Sequence, residues 1–102
     1  MEIKLYVCKD SILNDKGAIN QLETYKNQLI AQYQGLTVQE GLKGYYVGKN
    51  RTIMFDIVET WTILGENLDH TLAKQISKQI KSLTNQESQL ITFNHSVYPL
   101  FQ

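Results

Sequence analysis

The sequence predicts an α+β domain in which one antiparallel sheet packs against two helices. Apolar and polar residues alternate in four stretches, which is typical of strands with one buried face: residues 2–8, 36–47, 52–64 and 88–98. In two further stretches apolar residues recur at helical spacing: residues 18–33 and 72–83. A single proline and six glycines leave few breakpoints, so we expect one domain over residues 1–102.

Terminal signals support both helices. Asn14 or Asp15 can cap the first helix, because a short side chain with an acceptor oxygen binds the free N–H groups of the first turn. Gly35 can supply the left-handed residue that ends this helix. Asn67 or Asp69 can cap the second helix in the same way.

The order strand, helix, strand, strand, helix, strand is that of the ferredoxin-like split βαβ fold. In that fold four antiparallel strands form a single sheet, with the first and third strands at its centre. Since each helix has one apolar face, we expect both to cover the same side of the sheet and to leave the other side open.

The second and third strands should form a long hairpin around the turn at 48–51. Pairing across this turn places Lys43 opposite Asp56, which is a favourable cross-strand pair. It also places Trp61 on the core side, and an acid two residues before it, Glu59, on the same side. We therefore expect Trp61 to be buried and Glu59 not to be freely solvated.

The same register predicts that Glu40 and Glu59 lie opposite each other on the apolar face, with their Cβ atoms about 5 Å apart. Two carboxylates this close do not both ionise easily, and a shared proton is one way that enzymes make a general acid. His95, which points inward by alternation, can join them. If the protein is an enzyme, these three are the candidate catalytic residues. A β-bulge at Gly41 or Gly44 would instead separate the pair, and a lysine could then satisfy Glu59.

The open side of the sheet is the candidate binding surface. Aromatic side chains among small polar groups suit a contact surface because they bury a large area at little entropic cost. The candidate binding residues are Tyr6, Lys43, Tyr45, Met54 and Tyr98. We expect the chain to associate through this side with itself, as a homo-oligomer, or with another protein.

Two short motifs resemble those of RNA-recognition-motif domains: 5-LYV-7 and 43-KGYYV-47. Those domains share this fold and stack RNA bases on outward-facing aromatic side chains, so the resemblance implies single-stranded RNA binding as an alternative function. Val47 stands where the last stacking aromatic belongs, and the longer motif lies on the second strand rather than the third. Ten basic and ten acidic side chains leave no net charge, and without a cation surplus we do not expect nucleic-acid binding.

A second resemblance covers more of the chain. The segments 36-LTVQEGLKGYY-46 and 57-IVETWTIL-64 resemble a family of small uncharacterised bacterial proteins with a ferredoxin-like domain of unknown function. The family pattern has Leu-Thr-Val, then Gly-x-Trp, then a Glu at the head of an apolar strand; here Tyr46 takes the place of the tryptophan. The resemblance implies the fold and directs attention to Tyr46 and Glu59.

Composition excludes several classes of function. The longest apolar runs are far shorter than the roughly 20 residues of a membrane span, and the N-terminus lacks the apolar stretch of a signal peptide. Cys8 is the single cysteine, and no His, Asp or Glu spacing is typical of a metal site, so we expect no metal and no cofactor. These features favour a cytoplasmic, non-enzymatic binding module, for example a phage or mobile-element inhibitor of a partner protein, with the small enzyme as the alternative.

Overall fold

The computed structural model describes residues 1–101, and it describes side chains for residues 1–95. The elements run in the order β1 (Glu2–Cys8), α1 (Lys16–Tyr33), β2 (Thr37–Val47), β3 (Ile53–Leu64), α2 (His70–Leu83), β4 (Ser88–Phe93) and β5 (Ser96–Phe101). Two short 3-10 turns lie at Asp10–Ile12 and Lys49–Arg51.

The strands form one antiparallel sheet in the order β2-β3-β1-β4-β5. Its first four strands and the two helices confirm the ferredoxin-like α+β fold, with β1 and β3 inside the sheet. The fifth strand was not predicted, because the alternating stretch 88–98 is in fact a hairpin. Asn94 and His95 turn the chain with φ values of 49° and 70°, and Phe93 pairs with Ser96. A two-residue hairpin turn of type I′ needs positive φ at both positions, and Asn tolerates it without the glycine that usually marks such turns.

The helix caps follow the sequence closely. The carboxylate of Asp15 accepts a hydrogen bond of 3.0 Å from the backbone N–H of Ala18. Asp69 accepts one of 2.8 Å from Leu72. At the end of α1, Gln34 takes the left-handed conformation with φ 60°, so the expectation for Gly35 is off by one residue.

Both helices cover the same side of the sheet. The core combines residues of α1 and α2 with the alternate residues of the inner strands: Leu22, Leu29, Ala73, Ile76, Ile80, Ile3, Leu5, Val7, Trp61, Ile63, Ile91 and Phe93. Trp61 is fully buried, which confirms its predicted place. Among the described residues, no helix is long and apolar enough to cross a membrane.

The β2–β3 hairpin contains a bulge that alters its faces. Val38 pairs with Trp61 as predicted, but the register then shifts between Gln39 and Leu42. Gly41 sits in the shift with φ +73°, a conformation that glycine adopts without steric cost. Beyond the bulge Lys43 therefore pairs with Ile57 rather than with Asp56, so the predicted charged pair is wrong.

The far part of the hairpin extends beyond the rest of the domain. β1 pairs with β3 only from Val58 to Leu64, and residues 53–57 of β3 pair with β2 alone. This two-stranded part, residues 42–47 and 53–57, is called the hairpin arm below. Its large apolar side chains are exposed on both faces: Tyr45, Tyr46, Val47, Ile53, Met54, Phe55 and Ile57.

Candidate functional site

Glu59 is a buried acid at the place where β3 leaves the core. Its alternation with Trp61 puts it on the helix side of the sheet, opposite Val7 of β1, and only 6% of the residue is exposed. This confirms that Glu59 is not freely solvated. The fold thus holds a carboxylate in an environment where each of its oxygens needs a partner.

Both oxygens of Glu59 have such a partner. The indole N–H of Trp61 donates a hydrogen bond of 2.9 Å to Oε2. The ammonium group of Lys9, which follows β1 directly, forms an ion pair with Oε1. Lys9 Nζ is also 3.9 Å from Glu23 Oε1 on α1, and Glu23 Oε2 is 2.8 Å from Lys26 Nζ. The result is a chain of alternating charges that begins in the core and ends on the surface of α1.

A cavity of about 330 Å³ opens beside Glu59, close to the lower size limit of ligand pockets in proteins. Its walls are formed by Val7, Lys9, Asp10, Leu13, Glu40, Gly41, Ile57, Val58 and Glu59. Three acidic residues and one lysine therefore belong to its walls, an excess of two acids over bases. Because the chain as a whole has no net charge, this local excess of acidic residues distinguishes the cavity, and it favours a cationic ligand.

The bulge gives Glu40 a different position from the one predicted. It removes Glu40 from the paired register, so the cross-strand pair with Glu59 is wrong. Glu40 is exposed, and the structure gives it no hydrogen bond or ion pair with any described side chain. Both acids nevertheless line the same cavity, Glu59 in its depth and Glu40 at its rim.

His95 does not join the two acids. It lies in the β4–β5 turn, where its side chain is 83% exposed and Nδ1 is 3.7 Å from a carboxylate oxygen of Glu2. The inward orientation was predicted for a continuous strand, and the hairpin turn removes it. His95 is not among the residues that line the cavity.

The predicted binding surface divides between the two sides of the sheet. Tyr6 and Met54 lie on the open side, but the bulge moves Lys43 and Tyr45 to the helix side, beyond the helices. There Tyr45 and Phe55 have ring centroids 5.8 Å apart, and Lys43 Nζ is 5.0 Å from the centroid of Phe55. Tyr98 pairs with Ile91 in the sheet, and its side chain lies outside the described residues.

A cluster of Cys8, Asp10 and Asp56 lies on the open side, at the end of β1. One potential ligand atom from each residue lies within 4.8 Å of the others, so these are the described side chains best placed to hold a metal ion, which the sequence did not predict. Burial is the main cause that raises the pKa of the Cys8 thiol, and the charge of Asp10 adds to it. Burial likewise raises the pKa of Asp56, again with a contribution from Asp10. Each group is thus stabilised in its protonated form.

A slightly larger cavity, of about 380 Å³, lies between the two helices. Tyr25, Tyr33 and four glutamines line much of it, and burial raises the pKa of Tyr25 to about 12. With neither a carboxylate nor an amine in its walls, this cavity lacks groups that exchange protons near neutral pH. The cavity beside Glu59 is therefore the better candidate for chemistry.

Lys9 and Asp10 were not recognised from the sequence as parts of a site. They lie at the start of the short 3-10 turn that follows β1, where no strand or helix periodicity in the sequence fixes the direction of a side chain. One indication was available: a buried Glu59 needs a cation as its partner. The sequence does not show which lysine supplies it.

No protein-family model and no curated protein matches the chain. Among solved structures, the fold is similar to that of a phage SAM lyase in complex with S-methyl-5'-thioadenosine, with a TM-score of 0.61 and 13% identity over 99% of this chain and 88% of that chain. The phage SAM lyase in its apo state gives a TM-score of 0.60 and 14% identity over the same shares. At this level of identity the likeness shows the fold.

These comparisons contradict the predicted non-enzymatic binding module and the predicted inhibitor of a partner protein. Both of these similar structures are those of an enzyme, and the likeness extends over nearly the whole chain. Of the two functions predicted from the sequence, they favour the alternative, a small enzyme. The cavity is consistent with this: buried Glu59 and exposed Glu40 both line it, and a non-enzymatic binding module gives neither acid a role.

Proposed function

We propose that the chain is a small enzyme that binds a sulfonium nucleoside, S-adenosylmethionine or a close relative, and cleaves it in the cavity beside Glu59. The observation that carries this proposal is the excess of two acidic over basic residues in the walls of one cavity of a chain without net charge. The shared fold with a phage SAM lyase supports the choice of ligand.

The charges of the cavity suit a sulfonium ion. A permanent cation gains most from carboxylates where solvent is partly excluded, because the interaction is weakly screened there. The side chains of Val7, Leu13 and Ile57 supply apolar walls for the uncharged parts of the ligand. A neutral thioether of the same shape would have the apolar contacts but not the electrostatic attraction.

In a lyase reaction of this kind, the bond between sulfur and one alkyl carbon breaks, and its electron pair stays on sulfur. Sulfur leaves as a neutral thioether. A carboxylate takes a proton from the neighbouring carbon, and the electron pair of that C–H bond forms the new double bond. The reaction consumes neither water nor an oxidant. We assign the proton transfer to Glu40, whose oxygens have no other described partner, and the electrostatic stabilisation of the bound cation to Glu59.

The test is to incubate the purified protein with S-adenosylmethionine and to separate the products by liquid chromatography. We expect S-methyl-5'-thioadenosine from the wild type. Loss of a general base typically costs a factor of about 10²–10⁴, so Glu40→Gln should be slower by at least about 100-fold. Glu66→Gln removes an exposed acid at the opposite end of β3 and serves as the matched control. The proposal fails if the wild type forms no product, or if Glu40→Gln is as fast as the control.

We propose further that the hairpin arm associates with a second copy of the chain. Five of its large apolar side chains share one face, the helix side, and are about half exposed or more: Tyr45, Val47, Ile53, Phe55 and Ile57. Together they present on the order of 500 Å², within the range of the largest patch on a monomer and more than half of one side of a stable interface. A two-stranded ribbon is marginally stable alone, and a chain of zero net charge does not repel its copy at long range. Ile57 belongs both to the arm and to the cavity, so the second copy would also limit access of water to the site.

A cytoplasmic location remains part of the proposal. The single free thiol, Cys8, is typical of a reducing compartment.

A further inference from the structure

Lys9 occupies the position that a cationic ligand would need. Its ammonium group is in contact with Glu59 Oε1, and its side chain, 27% exposed, lies at the cavity wall. The other oxygen, Oε2, is held by the indole of Trp61. Both oxygens of Glu59 are therefore already engaged by groups of the protein itself.

Only one of these two partners can leave. Trp61 is fully buried in the core, and its displacement would disrupt the packing of the sheet against the helices. Lys9 has a long flexible side chain and a second carboxylate close by, Glu23, at 3.9 Å. A cation that approaches Glu59 can thus replace Lys9 while Lys9 keeps a partner.

We infer that Lys9 is a specificity-determining residue that exchanges between Glu59 and Glu23. This inference rests on the proposed function, because it assigns the exchange to the binding of a sulfonium ligand. When the cation enters, Lys9 moves to Glu23, and Glu59 pairs with the ligand instead. When sulfur becomes neutral, the product no longer competes, and Lys9 returns to Glu59. The exchange therefore lowers the affinity for the charged substrate, which must displace Lys9, and leaves the affinity for the neutral product almost unchanged.

Glu23 is suited to receive Lys9. Its side chain is 41% exposed and is already held by Lys26 at 2.8 Å, so the carboxylate is fixed at the surface of α1. No net charge is created or lost in the move, since one cation at Glu59 is replaced by another. The cost of the exchange is thus confined to the different geometry of Lys9 and the desolvation of the ligand.

The test measures the binding of S-adenosylmethionine and of neutral S-methyl-5'-thioadenosine by calorimetry in a double-mutant cycle. Lys9→Gln removes the competing cation but leaves a donor for Glu59 Oε1. We expect it to bind S-adenosylmethionine about tenfold more tightly, with the neutral ligand changed less than about twofold. Glu23→Gln removes the alternative partner of Lys9, and should weaken binding of the cation by a comparable factor.

The decisive comparison is Glu23→Gln in the Lys9→Gln background. If Glu23 acts through Lys9, its substitution has no further effect there. If Glu23 acts only through its distant charge, Glu23→Gln weakens the binding of S-adenosylmethionine equally with and without Lys9. The proposed exchange is then wrong, although the proposed function stands. If neither ligand binds to wild type or to Lys9→Gln, the proposed function fails and the exchange fails with it. Melting curves of each variant exclude loss of folding as the cause.

Discussion

Trp61 and Glu59, two residues apart on β3, are joined by a hydrogen bond of 2.9 Å from the indole N–H to Oε2. In an extended strand these side chains point to the same face, so the bond follows from local geometry. It lets a fully buried indole satisfy its only donor at the boundary between the core and the cavity. Trp61 is therefore at once a core residue and the group that orients the carboxylate of the candidate site.

Trp61→Phe should destabilise the domain by about 1–3 kcal/mol, because it leaves one oxygen of a buried carboxylate without a donor. The change keeps an aromatic ring in the core, so the cavity penalty is smaller than that of an alanine. Urea unfolding monitored by circular dichroism measures the difference. In the Glu59→Gln background the cost of Trp61→Phe should be lower, since a neutral amide oxygen without a donor costs less free energy than a carboxylate oxygen without one. Equal costs in both backgrounds would show that the hydrogen bond does not contribute.

Glu59→Gln should lower the free energy of unfolding, because it leaves Lys9 without its main partner. Removing one member of a buried ion pair costs about 3–5 kcal/mol, and the partial exposure of Lys9 places our expectation at about 1–3 kcal/mol. Glu40→Gln, at an exposed acid without described partners, should change stability by less than about 0.5 kcal/mol. Thermal melts at neutral pH compare the two variants. Stabilisation by Glu59→Gln would instead mean that Glu40 and Glu59 repel each other, as the register predicted from the sequence implies.

The sequence predicts the elements of this fold well because each is encoded locally. Alternation identifies β1 and β3, and the carboxylates of Asp15 and Asp69 identify the helix starts. The hairpin turn at Asn94 was missed because its positive φ is accommodated by a residue that also occurs in strands. The bulge illustrates a different difficulty: Gly41 and Gly44 are equally good candidates, and the sequence does not decide whether either forms a bulge, although a bulge at either reverses the face of the residues beyond it.

The candidate site was less predictable than the fold. Glu59 could be identified because an acid beside Trp61 interrupts an apolar face. Lys9 and Asp10 could not, since they reach the cavity from a turn whose path depends on tertiary packing. His95 shows the opposite error, in which a face assigned by strand alternation is lost when the strand ends early.

Asp56→Asn should stabilise the protein at neutral pH more than at acidic pH. Burial and the neighbouring Asp10 raise the folded-state pKa of Asp56 above its ordinary value of 3.8. The folded state then binds more protons than the unfolded state between the two values, so stability is lost as the pH rises through this interval. Melting temperatures of variant and wild type measured from pH 4 to pH 7 should diverge as the pH rises. A constant difference would contradict the raised pKa, and Glu66→Gln should follow the wild type throughout.

Phe55→Asp should dissociate the proposed oligomer. Phe55 is 51% exposed on the hairpin arm, and a charge there would have to be buried between copies at considerable cost. Sedimentation velocity at micromolar concentration should give a larger particle for wild type than for the variant. Leu64→Asp is the matched control, because Leu64 is 65% exposed at the other end of β3. A wild type that sediments as a monomer would remove the second copy as the partner of the arm, and a dimer that both variants leave intact would place the interface elsewhere.

Gly41→Ala should destabilise the protein, whereas Gly35→Ala should not. No atom lies within 4 Å of a Cβ built at either position, so neither change causes a clash with a neighbouring residue. The difference lies in the backbone: Gly41 has a φ of +73°, in the left-handed region, whereas the φ of Gly35 lies outside that region. A side chain in the left-handed region costs about 1–2 kcal/mol, partly offset by the lower entropy of the unfolded chain, and we expect a net loss of about 1 kcal/mol. At Gly35 only the entropic gain remains, so stability should be unchanged or slightly higher.

Because the bulge directs Glu40 to the cavity, Gly41→Ala should also slow cleavage of S-adenosylmethionine in the fraction of protein that stays folded. If Gly41→Ala were as stable as Gly35→Ala, the register shift between Gln39 and Leu42 would not need a left-handed residue, and the account of how Glu40 reaches the site would be wrong.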